Sequence, residues 1–307
     1  MTRVMVGTAS WTDKTLIDCG RFYPAEAKTP EQRLRYYASQ FPLVEVDSSY
    51  YALPARKTAQ LWADRTPPGF VFNVKAFRLF TGHFAAPKAL PVDLRASIGA
   101  DTAKIYYRDL PNEVREELWR RFHEALAPLV QAGKLGAVLL QFAPWVIANR
   151  DGFAQVELAA RKLDGVRIAS EFRNRSWFSQ KSLERVLAFE REQGLIHVVV
   201  DEPQGFSSSV PPVWEATNGE LAILRLHGHN QEMWTKKCLP SSAQRFDYLY
   251  SKPELQALLP GIRHLAERAP AVHVLFNNCF EDKAQRNARD LLQLLASAEL
   301  PARPPSA

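Results

Sequence analysis

The stretch LVEVDSSYY, residues 43–51, contains the pattern that decides the fold. Its first residues are apolar and include Val44 and Val46, the β-branched type that strands favour. Side chains alternate across a strand, so Glu45 and Asp47 share one face, opposite the two valines. The stretch therefore predicts a buried strand that carries two carboxylates on one face toward its C-terminal end.

Seven further segments share this apolar character, which gives eight predicted strands: 4–9, 43–48, 70–76, 137–142, 167–172, 197–201, 221–227 and 271–277. Most are near-continuous apolar runs, as is typical of parallel strands buried on both faces. Amphipathic segments that favour helices lie between most of them. The clearest starts at Pro30 and is preceded by a capping box from Thr29 to Gln32. Further helices are predicted at 112–130, 152–163, 182–193, 253–268 and 283–296.

Alternating strands and helices predict right-handed βαβ units and a parallel sheet. Eight strands in 307 residues favour a closed parallel (β/α)8 barrel of the TIM type, with an open doubly wound sheet as the alternative. The alternative fits less well because no GxGxxG motif follows the first strand. We predict a single barrel domain over 1–300, with an inserted segment within 77–134 after the third strand and a disordered tail at 301–307.

The composition, with 46% hydrophobic and 23% charged residues, argues against a disordered chain. The net charge of +6 is compatible with anionic partners such as phosphates or nucleic acid but does not require them. The cysteines Cys19, Cys238 and Cys279 are far apart, which argues against a zinc finger or a disulfide framework and fits a reduced, cytoplasmic chain. The longest apolar run, around 137–148, is too short to span a bilayer, so no membrane partner is expected.

Every predicted strand carries polar residues at its C-terminal end, where the active sites of such barrels are built. In chain order, these residues and those that follow them are Trp11; Glu45, Asp47 and Tyr50; Lys75 and His83; Gln141; Glu171 and Arg173; Asp201; Arg225 and His227; and Asn277. Carboxylates that face two arginines and a lysine in a confined mouth must be paired to offset their desolvation. Their joint occurrence predicts a ligand-binding or catalytic site at this end of the barrel.

Aromatic residues also follow several strand ends: Trp11, Tyr50, Tyr51, Trp145, Trp177 and Trp234. Rings beside charged groups suit the face of a sugar or a stacked base. Packing between loops is the alternative role for these rings. We favour packing for Trp177, which directly precedes a predicted helix.

Seven short motifs follow one another along the chain: GTASW (7–11), RFYP (21–24), VEVDSSYYALP (44–54), TPPGFVFNVKA (66–76), LLQFAP (139–144), EFRNRSW (171–177) and LRLHG (224–228). Together they resemble the YecE-like family, a domain of unknown function (number 72), over residues 4–294. The resemblance implies a TIM-barrel-like fold but no reaction, because the family has no settled biochemical activity. Three positions depart from the family pattern: Asp47 stands where Asn is usual, Gly82 separates Thr81 from His83, and Cys19 precedes Gly20 where an aromatic residue is common.

We expect an enzyme that acts on a phosphorylated, sugar-containing or nucleic-acid substrate by acid–base chemistry at the mouth, as a hydrolase, an isomerase or a lyase. The anionic group would be bound by Lys75, Arg173 and Arg225, the arginines through bidentate contacts. The expected acid–base residues are Glu171 and Asp201, with Glu45 and Asp47, and with His227 as a proton shuttle. The remaining candidates for ligand binding are Asn277, Trp11, Tyr50, Gln141 and His83.

The same mouth also fits two alternatives to an enzyme. One is a non-catalytic module that binds an anionic ligand or nucleic acid there, and the other is a scaffold whose strand-end charges form internal salt bridges. A divalent metal held by the carboxylates with His227 and His229 is a further alternative. The three cations disfavour the metal because they already neutralise the carboxylates. The sequence leaves the cofactor and the oligomeric state open.

Overall fold

The structure, a computed structural model, describes residues 3–96, 98, 103–239, 241–300 and 302–303. Eight parallel strands of this described part form a closed barrel, in which each strand is hydrogen-bonded to the next and the last to the first. They are β1 (Arg3–Ala9), β2 (Leu43–Val46), β3 (Val71–Lys75), β4 (Leu135–Gln141), β5 (Ile168–Glu171), β6 (Ile196–Asp201), β7 (Ala222–Leu226) and β8 (Ala271–Phe276). The predicted (β/α)8 barrel is therefore confirmed.

The described residues contain seven longer helices, six between strands and one after the last strand: α1 (Pro30–Gln40), α2 (Arg56–Asp64), α3 (Asn112–Gln131), α4 (Arg150–Lys162), α5 (Leu183–Glu192), α6 (Lys252–Ala266) and α7 (Lys283–Ser297). Short helices lie at Lys14–Asp18, Ser48–Tyr51, Val92–Arg95 and Gln231–Trp234, and 3-10 turns at Arg78–Thr81, Pro87–Ala89, Tyr107–Asp109, Arg175–Phe178 and Ser242–Phe246. Helix α2, whose buried residues are the small Ala59 and Ala63, is not among the helices predicted from the sequence. No helix in the described part of the chain is long and apolar enough to cross a membrane.

Strand register decides which side chains enter the barrel. In β2, Glu45 lies opposite Ala9 and Asn73 of the flanking strands, whereas Val44 lies opposite Phe72. Because side chains alternate along a strand, Glu45 faces the interior and Val44 faces the helices. The interior holds an apolar cluster that includes Met5, Leu43, Ala137, Leu139, Ala169, Val198, Ile223 and Leu275. The charged residues at the C-terminal strand ends lie above this apolar layer, at the end of the barrel that we call the mouth.

The predicted insertion after β3 lies at the mouth, because it leaves the C-terminal end of that strand. Ala85 and Ile105 join its two arms through an antiparallel bridge. Phe80 stacks on Trp119 of α3, with ring centroids 3.5 Å apart. This packing fixes the start of the insertion, which carries His83, beside the mouth.

Part of the predicted disordered tail, residues 301 and 304–307, lies outside the described residues. Ala302 and Arg303 are described and contact β1. Ala302 forms a parallel bridge with Val4, and the backbone N–H of Arg303 donates to the Val4 carbonyl at 2.8 Å. These two residues are therefore held against the first strand.

Gly7 allows β1 and β2 to approach each other. A β-carbon at this position would lie 2.0 Å from the carbonyl oxygen of Leu43, a backbone atom that cannot move without distorting the pairing of the two strands. We expect Gly7→Ala to lower the free energy of unfolding by about 1–3 kcal/mol, measured by urea denaturation. Gly219→Ala is the matched control, because a β-carbon there meets no described atom within 4 Å. Equal stability of the two variants would contradict this reasoning.

Candidate functional site

Arg225 occupies the centre of the mouth and joins three strands. Its side chain is fully buried. Nε and Nη2 donate to the two carboxylate oxygens of Glu45 at 3.0 and 2.5 Å, and Nη1 donates to Oε2 of Glu171. Glu45 belongs to β2, Glu171 to β5 and Arg225 to β7. One guanidinium is therefore shared by two buried carboxylates.

The two carboxylates have different surroundings and different acidities. Glu171 also accepts from Gln141 at 2.6 Å and from Arg173 at 3.2 Å. Burial alone would raise the pKa of Glu171, but Arg225, His227 and Arg173 outweigh it and hold that pKa well below its usual value. Burial raises the pKa of Glu45 to about 7, because Arg225 opposes the shift only in part and the nearby Asp47 adds negative charge.

His227 is held in one tautomer by its two neighbours. The side-chain amide of Asn277 donates to Nδ1 at 2.7 Å, so Nε2 carries the proton and donates to Glu171 at 3.2 Å. Burial lowers the pKa of His227 to about 4, with Glu171 opposing the shift and Arg173 and Arg225 adding to it. The imidazole is therefore neutral near pH 7. We call Glu45, Glu171, Arg225, His227 and Asn277 the floor network.

Arg173 lies above the floor network and is partly exposed. Its Nη2 forms an ion pair with Oε2 of Glu202 at 2.9 Å, and its guanidinium lies 5.1 Å from the ring of Trp234. Glu202 is buried and accepts from the backbone N–H of Val210 at 2.7 Å. Burial raises the pKa of Glu202 to about 7, with Arg173 opposing the shift. A second carboxylate of this mouth therefore titrates near neutral pH.

Glu202, rather than the predicted Asp201, is the carboxylate that β6 directs toward Arg173. Val198 and Val200 face the barrel interior, so side-chain alternation turns Asp201 outward and the next residue inward. Asp201 instead pairs with Nε2 of His229 at 2.8 Å and accepts from the Tyr250 hydroxyl at 2.5 Å. The hydrogen bond that Nε2 of His229 donates to Asp201 raises the pKa of His229. The two residues form a separate, partly exposed ion pair on the β6–β7 side of the mouth.

Two cations on the β3 side of the mouth have weaker partners. Nζ of Lys75 lies 3.5 Å from Asp47 and 4.7 Å from the ring of Tyr50. Arg78, which the sequence analysis does not single out, lies 5.0 Å from the Tyr50 ring and 5.4 Å from the Phe84 ring. Within the described residues, Nε of Arg78 is buried without a hydrogen-bond partner. We call Lys75, Arg78 and Arg173 the rim cations.

His83 lies close enough to all three rim cations for their charges to affect its pKa. Its ring centroid is 5.3 Å from that of Tyr50 and 5.7 Å from that of Trp145. Burial, together with the charges of Lys75, Arg78 and Arg173, lowers the pKa of His83 to about 3. The imidazole is therefore neutral and marks a region of positive potential.

Trp11 is a correction to the predicted site. It is buried in the layer between barrel and helices, where its ring centroid lies 5.8 Å from Trp62 and 6.2 Å from Phe72. Ser10 has a positive φ of 76°, which turns the chain away from the mouth just before the tryptophan. Trp177 packs as predicted, fully buried and stacked on Phe172 at 4.0 Å.

The carboxylates of the mouth are engaged by cations rather than grouped around a common point. Among the described residues, no group of three or more His, Cys, Asp or Glu side chains is arranged to hold a metal ion. Glu45 and Glu171 bind Arg225, and Asp47 pairs with Lys75. The polar groups of the mouth therefore present cations, more than free carboxylates, to a ligand.

Comparisons with known proteins agree with the barrel. A family model described as "Protein of unknown function DUF72" matches residues 5–307. The UPF0759 protein YunF of Bacillus subtilis (strain 168) is 32% identical over 297 residues, which cover 95% of this chain and 94% of the relative. A solved DUF72 family protein from Enterococcus faecalis V583 has 26% identity and a TM-score of 0.78, with 95% of each chain covered. Another from Thermotoga maritima MSB8 has 27% identity and a TM-score of 0.75, with 96% of this chain and 99% of that chain covered. The resemblance found in the sequence is confirmed.

We expect Glu202 to make stability depend on pH. Its folded pKa of about 7 lies above its ordinary value of 4.5, so between these values the folded protein holds a proton that the unfolded chain has lost. Stability is therefore lost as the pH rises through this window, by about 1–3 kcal/mol for this group. Urea unfolding of the wild-type protein and of Glu202→Gln, at about pH 5 and about pH 8, measures the difference.

In this experiment, Glu202→Gln loses less stability than the wild-type protein on going to the higher pH. Glu45 titrates in the same range, but it is present in both proteins and largely cancels in the difference. Glu113→Gln, at an exposed position in the first turn of α3, is the control and follows the wild-type protein. If the free energy of unfolding depends on pH equally in Glu202→Gln and in the wild-type protein, Glu202 is not the group responsible.

Proposed function

The chain belongs to the DUF72 family of proteins of unknown function, and we propose that it is an enzyme that binds a phosphate-bearing substrate at the mouth of its barrel and acts on it by acid–base chemistry. Because the family's description assigns no function, the proposal rests on the geometry of the mouth. The observation that carries it is that three cations act on one neutral histidine, and that two of them, Lys75 and Arg78, have at most one carboxylate partner in the described chain.

The rim cations suit a phosphate group. Arginine and lysine bind phosphate oxygens through charge-assisted hydrogen bonds, and each rim cation is partly exposed. Lys75 has only Asp47 as a carboxylate partner, at 3.5 Å, and Arg78 contacts rings instead of a carboxylate in the described chain. Arg225 has a different part in the proposal: it is buried and bound to two carboxylates, so it fixes the floor network beneath the ligand.

His83 supplies the base in this proposal. The hydroxyl of Thr81 donates its one proton to the carbonyl of Arg78 at 3.2 Å, so it accepts from Nδ1 of His83 at 3.1 Å and leaves Nε2 unprotonated. A phosphate bound among the rim cations would cancel their field at the imidazole. It would raise the pKa of His83 and make Nε2 a stronger base when the substrate is present.

Asp47 is the second accessible group for proton transfer. Its side chain is 26% exposed and lies 3.5 Å from Lys75, and its Oδ1 has no hydrogen-bond partner among the described residues. Glu171, Glu45 and His227 act as positioning residues, because they are buried and hold Arg225 and Arg173 in place. The Asp201–His229 pair offers a second acid–base site on the opposite side of the mouth.

Burial of the floor network favours one alternative, a non-catalytic module that binds the same anion. The carboxylates that the sequence proposes for catalysis, Glu45 and Glu171, are fully buried and do not reach a ligand directly. In this alternative the rim cations bind phosphate and no substrate is consumed. Turnover distinguishes the two functions.

We expect Lys75→Met and Arg78→Met each to weaken binding of pyrophosphate about tenfold or more, since each removes one charge-assisted contact. Calorimetric titration measures the affinity, and urea denaturation checks that the fold is retained. Arg167→Met is the matched control, because Arg167 also pairs with a single carboxylate, Glu220, but both residues lie just before strand starts, those of β5 and β7, at the opposite end of the barrel. Wild-type affinity in both rim variants would refute the anion site.

His83→Ala separates catalysis from binding. We expect this variant to bind pyrophosphate with an affinity within a few-fold of the wild-type protein, and to lose turnover of any phosphorylated compound that the wild-type protein consumes in a metabolite screen. Turnover that survives in His83→Ala excludes this base. A wild-type protein that binds phosphorylated compounds but consumes none supports the binding module.

A further inference from the structure

A large groove lies next to the mouth, between the insertion and α4. Its volume is about 770 Å³, within the usual range for ligand pockets. Six aromatic side chains line it: Phe80, Phe84, Tyr106, Tyr107, Trp119 and Trp145. Gly82 and Trp145 belong to its wall and adjoin His83, so the groove begins where the mouth ends.

Trp145 is exposed at the junction of groove and mouth yet held in one orientation. Its side chain is 53% exposed. Its indole N–H donates to the carbonyl of Gly82 at 2.9 Å, and its ring lies 5.7 Å from His83. A large ring that is fixed at one edge and open at its surface is suited to stacking against a planar group of a ligand.

Cations alternate with aromatic rings from the mouth along the groove. The described residues contain ten cation–π contacts, and six lie here: Lys75 on Tyr50 (4.7 Å), Arg78 on Tyr50 (5.0 Å), Arg78 on Phe84 (5.4 Å), Lys104 on Phe84 (4.8 Å), Arg108 on Tyr106 (5.2 Å) and Arg115 on Tyr107 (5.6 Å). We call these residues, with Trp145, the cation–aromatic strip. Their concentration in one region sets it apart from the rest of the surface.

We propose that the cation–aromatic strip binds a single-stranded nucleic acid, whose phosphates contact the cations and whose bases stack on the rings, and that it leads one phosphate to the mouth. This inference rests on the proposed function, since it names the class of substrate that the rim cations meet. An interleaved row of cations and rings is the arrangement that binds single strands with little dependence on base sequence. A duplex fits less well, because its bases are stacked on one another and present no free faces.

The charges of the strip are not cancelled by its own carboxylates. Asp47 pairs with Lys75, and Asp109 lies 3.7 Å from the exposed Arg108. Arg78 and Arg115 each have a buried Nε without a hydrogen-bond partner in the described chain. Asp151, at the start of α4, is a carboxylate of the groove wall. The cations exceed these carboxylates, which favours a polyanion over a neutral aromatic ligand.

A labelled thymidine oligonucleotide of about ten nucleotides tests the proposal by fluorescence anisotropy with the full chain. We expect the wild-type protein to bind it and Trp145→Ala to weaken binding about tenfold, since one stacking platform is lost. Arg108→Met lowers the slope of log affinity against log salt by about 0.7, since one phosphate contact is lost. Arg268→Met is the matched control, because Arg268 is also exposed and lies 3.9 Å from its sequence neighbour Glu267, but at the far end of the barrel.

Pyrophosphate and thymidine monophosphate, measured with the same proteins, separate the two proposals. If pyrophosphate binds through Lys75 but the oligonucleotide does not bind, the nucleic-acid inference is wrong and the anion site stands. Oligonucleotide affinity that is unchanged in Trp145→Ala and Arg108→Met overturns the inference, as does a monophosphate that binds as tightly as the strand. If neither pyrophosphate nor the strand depends on Lys75, both proposals fail.

Discussion

The ion pairs of Arg225 with Glu45 and Glu171 are the interaction on which the mouth depends. Removing charges from water costs several kcal/mol per ion, and only close pairing inside the barrel offsets that cost. The three partners come from β2, β5 and β7. Their charges therefore fix the relative positions of strands that are not neighbours in the barrel. This explains why the strand LVEV carries a glutamate on its interior face.

Charge neutralisation falls off from the floor network toward solvent. Arg225 is buried and shared between two carboxylates, Arg173 is partly exposed and paired with Glu171 and Glu202, and Lys75 has one carboxylate at 3.5 Å. Arg78 contacts rings instead. The cations with the fewest carboxylate partners, Lys75 and Arg78, therefore lie at the rim of the mouth, and their charges act on the neutral His83. This gradient leads us to assign structural support to the buried charges and ligand binding to the rim cations.

The barrel is predictable from the sequence because strands buried on both faces are continuous apolar runs with helical segments between them. The pairs Glu45 with Asp47 and Arg225 with His227 are also predictable, since residues two apart share a face. The sequence does not predict which of Asp201 and Glu202 faces the barrel mouth. The strand HVVVD has valines on both faces, so its pattern does not reveal which face is interior.

Two further features of the mouth cannot be predicted from the sequence, because they depend on local backbone geometry. The positive φ of Ser10 turns Trp11 into the helix layer, and nothing in GTASW specifies that turn. Arg78 lies in an irregular insertion without a helical or strand period, so its position beside Tyr50 depends on tertiary packing. The positions of loop side chains at the mouth can therefore be learned only from the structure, whereas the positions of strand side chains follow from alternation.

The central claim is that an anion binds among the rim cations. An X-ray structure of crystals soaked in tungstate, a phosphate analogue located by its anomalous scattering, tests it most directly. The account predicts a tungstate peak within hydrogen-bonding distance of Lys75, Arg78 or Arg173 and adjacent to His83. A mouth without a tungstate peak, in crystals where tungstate binds only elsewhere on the surface, would contradict it.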